Sequence, residues 1–274
     1  MSESDDNYEK IPIDSVKSIH PIVGVGVEKS RRKVDGELSS FFEIREADLI
    51  PRILEELSNY YHFFGFVIDP ALEWPRQGWN YQILTCIPRA MLELSEHGKP
   101  GDIDVLILPI KDGNIYPLLA MAIEVKFIKV PLHKRWKDAN SSGVEQAKGL
   151  LHDGFPFVGI LHVLIAEPSD EKDWGKISTF IVTDRERQAG EKLDDNVDFD
   201  PILMDAVARQ FGRMEKDVSG TLIGANAIHL WLSQDGRRID GHSINRFILA
   251  QRNKNISERL MLGIKDFYEK FEAA

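Results

Sequence analysis

The sequence predicts an α/β fold: a central mixed sheet with helices on both faces and additions at the N- and C-terminal ends. Three observations predict it. Residues 101–126 hold two apolar runs on either side of Lys111-Asp112-Gly113-Asn114, and Asp-Gly between strand-like runs is a hairpin signal. A further apolar run, Phe157 to Ala166, is of strand length and follows a helix-opening pattern at Ser142-Gly-Val-Glu145. Elsewhere, apolar residues recur at helical period.

Taken in order, residues 1–10 are acidic and polar, which predicts a disordered tail. Residues 11–45 contain short strand-like pieces. Gly24-Val-Gly26-Val-Glu28-Lys29 lacks the spacing of a phosphate loop, so it excludes an ATP site. Lys29, Arg31, Arg32 and Lys33 read as a solvated turn. Leu49, Ile50, Ile53, Leu54, Leu57, Tyr60 and Tyr61 place a helix over 48–62, with Asp48 as cap and Pro51 in the first turn. Phe63 to Ile68 reads as extended. Trp74 and Trp79 lie in a Pro/Gly-rich loop over 70–80, where tryptophans more often plug a core edge than stack on bases. Residues 81–97 read as a helix kinked at Pro88 and ending at Gly98. Beyond the Phe157 run, Ile177–Thr183 is expected to extend the sheet, and 184–200 to form an exposed loop. Leu203, Val207 and Phe211 predict a helix over 201–214 capped by Asp200. A strand over 225–232, a turn at Asp235-Gly236 and an amphipathic helix over 256–271 complete the chain. One domain over 11–274 is the simplest division, with a core at about 81–183 and an extension at about 184–274. An alternative boundary lies in 185–200, where charge rises.

The bulk properties bound the function. With 274 residues, 43% hydrophobic and 28% charged, the chain has the balance of an ordinary globular protein. No apolar run reaches membrane-spanning length, and the N-terminus does not resemble a secretory signal. The single cysteine, Cys86, fits a reducing compartment and is most simply a core residue, so a cytoplasmic location is expected. The net charge of −10 counts against a protein that coats itself in nucleic acid. Yet Lys129, His133, Lys134, Arg135 and Lys137 follow one another with no acid until Asp138, and Lys129, Lys134, Arg135 and Lys137 are the candidate phosphate contacts. The histidines lack zinc-like spacing, and His162, inside an apolar run, reads as a core histidine.

The candidate site is built from Asp104, Glu124 and Lys126. Alternation along a strand puts Glu124 and Lys126 on one side. If the two runs pair, Asp104 falls beside Glu124. Two neighbouring carboxylates repel, and a divalent cation relieves that repulsion. Oxygen donors suit Mg²⁺ or Mn²⁺, and the Val125 carbonyl offers a further ligand. Asp102 is an alternative to Asp104, which ranks higher because the apolar run starts directly after it.

Gly101-x-x-Asp104 followed by Glu124-x-Lys126, then a helix with Gln146 in its first turn and a further strand, resembles the core of the PD-(D/E)xK nuclease superfamily. The resemblance covers roughly residues 86–167. It implies a restriction-endonuclease-like sheet and a Mg²⁺-dependent phosphodiesterase, with DNA a more natural substrate than RNA. Genome or antiviral defence is the use it suggests, with a helicase or ATPase as the kind of protein partner it admits. It also implies that Gln146, matching the glutamine of RecB-type members, supports Lys126 or touches the nucleic-acid backbone. Glu93, or failing it Glu96, would add an acid from the helix before the Asp104 strand. The competing expectation is a nuclease-like scaffold that binds nucleic acid or a protein partner without cutting. A weaker third is a protein with no nucleic-acid role.

Overall fold

The structure, a computed structural model, describes residues 11–12, 79–94, 101–130, 143–166, 172, 174–184, 189–199, 201–232, 239–243 and 246–272. The expectations for 1–10, the basic cluster at 29–33, the helix over 48–62, Trp74, Glu96, residues 131–142 and the Asp235-Gly236 turn lie outside them.

The described elements run β1 (Ile11–Pro12), β2 (Trp79–Ile87), the 3-10 turn η1 (Arg89–Leu92), β3 (Ile103–Lys111), β4 (Asn114–Ile115), the 3-10 turn η2 (Pro117–Leu119), β5 (Met121–Val130) and α1 (Val144–Asp153). They continue with β6 (Phe157–Ala166), β7 (Gly175–Asp184), β8 (Ala189–Phe199), α2 (Pro201–Val218), β9 (Gly224–Leu232), β10 (Ile239–Ser243) and α3 (Glu258–Glu272). The main sheet has the order β2-β3-β5-β6-β9-β10, with β4 and β1 attached at the turn end of β3. β2, β3 and β5 pair antiparallel, β5, β6 and β9 pair parallel, and β10 returns antiparallel to β9. The fold is therefore mixed α/β around a mixed sheet flanked by helices.

The turn after β3 follows from its residues. Asp112 and Gly113 both have positive φ, 52° and 73°, and Lys111 pairs with Asn114. This is the two-residue hairpin geometry that Asp-Gly favours. β4 ends after two residues, and Pro117 opens η2, which delivers the chain to β5. The two predicted runs do adjoin: Val105, Leu106 and Ile107 pair with Ile123, Ala122 and Met121.

The sheet separates two apolar clusters. On one side, Leu106, Leu108, Ala122, Ile128, Val158, Ile160 and Leu164 pack with residues of all three helices. α1 gives Val144, Ala147 and Leu150 to that cluster, α2 gives Val207, Phe211, Met214 and Val218, and α3 gives Leu260, Ile264 and Phe267. Each large side chain so buried stabilises the fold by about 1.5–3 kcal/mol. On the other side lie Val105, Ile107, Met121, Ile123, Val125, Leu161 and Val163, with Tyr116 and Leu119 from the η2 region. The three described helices thus share one face.

Parallel strands need crossovers. α1 supplies the one from β5 to β6, and α2 lies in the one from β6 to β9. The end of α1 is held twice. Arg89 of η1 makes a buried ion pair with Asp153. Asn253, itself buried, donates to the carbonyls of Leu151 at 2.8 Å and Phe155 at 3.1 Å, one in the last turn of α1 and one just past its end. The Ser257 hydroxyl accepts from Leu260 N–H at 3.2 Å and caps α3.

Several expectations are corrected. Residues 81–97 are not a kinked helix: 79–87 form a strand, and a 3-10 turn follows Pro88. Tyr81, Ile83, Thr85 and Ile87 are aromatic or β-branched, and burial on both sides of the sheet masks their alternation. Trp79 begins that strand rather than closing a loop. Ile177–Thr183 belongs to β7, which pairs with β8 in a separate two-stranded sheet instead of extending the main one. β8 occupies the stretch expected to be loop; its acids lower the local strand signal, and pairing with β7 supplies what propensity does not. α2 runs one turn past its expected end. No helix among the described residues is long and apolar enough to cross a membrane.

Candidate active site

The site forms where β3 and β5 part. Their ladder ends at Val105 and Ile123, while β5 continues alongside β6 as far as Val130. Beyond the last pair, Val125 N–H has no β3 carbonyl to meet. It donates instead to Asp104 Oδ2 at 2.7 Å. This bond to a carboxylate is charge-assisted and short, and it fixes Asp104 against the Glu124–Val125 backbone. The N–H and C=O of one strand residue point to the same edge. The Val125 carbonyl therefore faces the Asp104 side and not β6.

Asp104 also marks a break in alternation. Ile103 belongs to the helix-side cluster and Val105 to the opposite one. On β2, the residue facing Asp104 by register is Cys86, whose φ is 51°. A non-glycine residue there costs about 1–2 kcal/mol. The break moves Cys86 onto the side of Tyr81 and Ile83 and returns Ile87 to the helix side. Cys86 is thus half-buried in a strand, at an irregularity that flanks the acid.

Glu124 is buried, at 5% exposure, and Lys126 Nζ lies 2.7 Å from its Oε1. A lone buried carboxylate is costly, so the lysine is its counter-ion. Two residues apart on β5, both side chains face α1. The helix begins directly above them. Gly143, with φ 76°, precedes Val144, and a Cβ placed on it would lie 3.2 Å from Glu124 Cγ and 3.3 Å from Lys126 Cε. Glycine makes this left-handed turn without strain, whereas any Cβ here would make the Glu124 and Lys126 side chains give way by a few tenths of an ångström. The expected Ser142 cap is replaced by Gly143, which makes no side-chain capping bond, and Glu145 pairs with Lys148 instead at 2.6 Å. Gly143 is the site residue that sequence reasoning missed. Its signal, a glycine next to a helix start, is ambiguous without the tertiary contact.

The remaining expected residues are distributed as follows. Gln146 is half-buried in the first turn of α1, the helix that starts beside Glu124 and Lys126. Glu93 is exposed in a left-handed turn after η1, and its carboxylate lies 3.6 Å from Arg259 of α3. It is not carried on a helix, because the helix expected there is a strand and a turn. Asp102 is exposed and precedes β3. Lys129 is half-buried on β5 but alternates to the face opposite Lys126. His162 pairs in register with Lys126 across β5 and β6 and is buried. Lys134, Arg135 and Lys137 lie outside the described residues.

The donor types suit a hard divalent cation in kind: the Asp104 and Glu124 carboxylates and the Val125 carbonyl all offer oxygen. The number of acids is small. Among the described residues, no group of three or more His, Cys, Asp or Glu side chains is arranged to hold a metal ion. No protein-family model, curated protein or solved structure matches the chain.

Proposed function

We propose that this protein is a metal-dependent phosphodiesterase of the PD-(D/E)xK kind that acts on DNA. The observation that supports the reading is the bond from Val125 N–H to Asp104 at 2.7 Å, beside a buried Glu124 paired with Lys126. It ties Asp104 of β3 to the β5 backbone between Glu124 and Lys126, which is the neighbourhood the resemblance calls for. Asp104, Glu124 and the Val125 carbonyl would hold Mg²⁺ or Mn²⁺. When bound, such an ion lowers the pKa of a coordinated water and offsets charge on a phosphoryl oxygen. Lys126 supplies positive charge where the phosphate gains negative charge. Gln146 orients Lys126 or the phosphodiester from the first turn of α1. Lys134, Arg135 and Lys137 contact the backbone of the substrate. Glu93, paired with Arg259, has no part in this scheme.

The test uses plasmid and linear DNA with Mg²⁺ or Mn²⁺. Wild type is expected to cut, and Lys126→Ala to cut at least about a hundredfold more slowly. Equal cleavage by both proteins would falsify the assignment of Lys126.

A second reading is favoured by the Glu124–Lys126 pair itself. The pair is already neutral, and the acids are few, so the same geometry also suits a scaffold that binds nucleic acid or a protein without cutting. Tight DNA binding with no cleavage under any divalent ion would select this reading.

A further inference from the structure

We propose that the Lys126 ammonium is the site's built-in cation, and that a divalent metal binds by exchanging with it at Glu124. The inference rests on reading Asp104 and Glu124 as cation-binding carboxylates.

Three observations carry it. First, the pair is unequal in depth: the Glu124 side chain is 6% exposed and that of Lys126 is 22% exposed. The acid is fixed inside, whereas the base keeps a route to solvent. Second, the start of α1 closes over the acid: a Cβ built on Gly143 would lie 3.2 Å from Glu124 Cγ. The buried carboxylate therefore takes its cation where it stands. Third, Asp104 is tied to Val125 N–H at 2.7 Å, which fixes a second acid beside the backbone that carries Glu124.

An ammonium at 2.7 Å from Glu124 and a divalent ion on the same carboxylate are like charges at close range and repel. Without metal, the ammonium keeps the buried acid neutralised and the strands together. With metal, that task passes to the ion, and Lys126 turns toward solvent, where a phosphate would lie. The lysine would thus set two properties at once. It weakens metal affinity, and it makes its own charge available to substrate only when the metal is in place.

The experiment measures binding, not cleavage. Calorimetric titrations of the full chain with Ca²⁺ and with Mn²⁺ compare wild type, Lys126→Met and the double variant Glu124→Gln/Lys126→Met. Removing the competing ammonium is expected to tighten binding by about tenfold or more, because a buried carboxylate without its partner favours any cation. The double variant is expected not to bind. Equal or weaker binding by Lys126→Met overturns the exchange. No binding by wild type or Lys126→Met at millimolar ion overturns the metal reading beneath it, a distinct outcome.

A second measurement needs no variant at Lys126. Amine acylation of the wild type, read by peptide mass spectrometry, follows Lys126 against Lys148, an exposed lysine on α1. Ca²⁺ is expected to speed labelling of Lys126 and leave Lys148 unchanged, and Asp104→Asn is expected to abolish the acceleration. Labelling of Lys126 that Ca²⁺ leaves unchanged or slows overturns the proposal, even if Lys126→Met fails to fold.

Discussion

At the scale of residues, the site depends on one glycine as much as on its charged groups. Gly143 holds φ 76°, and a Cβ built on it would lie 3.2 Å from Glu124 Cγ and 3.3 Å from Lys126 Cε. Gly143→Ala should cost about 1–2 kcal/mol from the left-handed backbone alone, measured by urea denaturation. The added methyl also presses on Lys126 Cε, so cleavage should fall by more than the lost stability explains. Gly143→Asn separates the two effects. Asparagine tolerates this backbone conformation better, so stability should recover in part while activity stays low. Full activity in the asparagine variant would show that the close contact is irrelevant. Asp104, Glu124 and Lys126 were legible as residues of interest because charge at the ends of apolar runs is rare. The role of Gly143 was not, since nothing local reveals which residue a helix start will touch.

At the scale of elements, the crossover helix α1 is held at both ends by parts of the chain remote in sequence. Its start rests on β5. Its end is joined to η1 by the Arg89–Asp153 pair, with side chains 5% and 9% exposed. Arg89→Ala leaves a buried aspartate without its partner and should destabilise the protein by about 3–5 kcal/mol in chemical denaturation. Arg89→Met combined with Asp153→Leu should recover most of that loss, because no charge remains buried. A double variant as unstable as the single one would argue against this origin of the effect. The strand and helix pattern was readable where one periodicity dominated, as in Phe157–Ala166 and in α3. It failed for β2, where apolar groups on both faces hide the period of two, and for β8, whose strand character comes from its partner.

At the scale of the whole molecule, charge is the unresolved tension. A chain of net charge −10 must meet a phosphate backbone through local basic groups. If Lys134, Arg135 and Lys137 are those groups, DNA binding should weaken with salt at a slope of about −0.9 per phosphate contacted. Reversing all three to glutamate should reduce the magnitude of that slope by about three. An unchanged slope would place the contacts elsewhere. The architecture agrees with the α/β class read from the sequence, and β9, α2 and α3 belong to the same sheet and core as β3, β5 and β6.

The sequence alone determined the local grammar: the Asp-Gly turn, the apolar strand after α1, the last helix, and three charged residues too costly to place at strand ends without cause. Each is a short-range property, set by backbone preference or by periodic burial. Tertiary structure decided which strand edges part, that Asp104 meets Val125 N–H there, and that Gly143 covers the ion pair. Those are contacts between segments about twenty residues apart, and the energy that fixes them comes from burial and long-range pairing rather than from any residue's own preference.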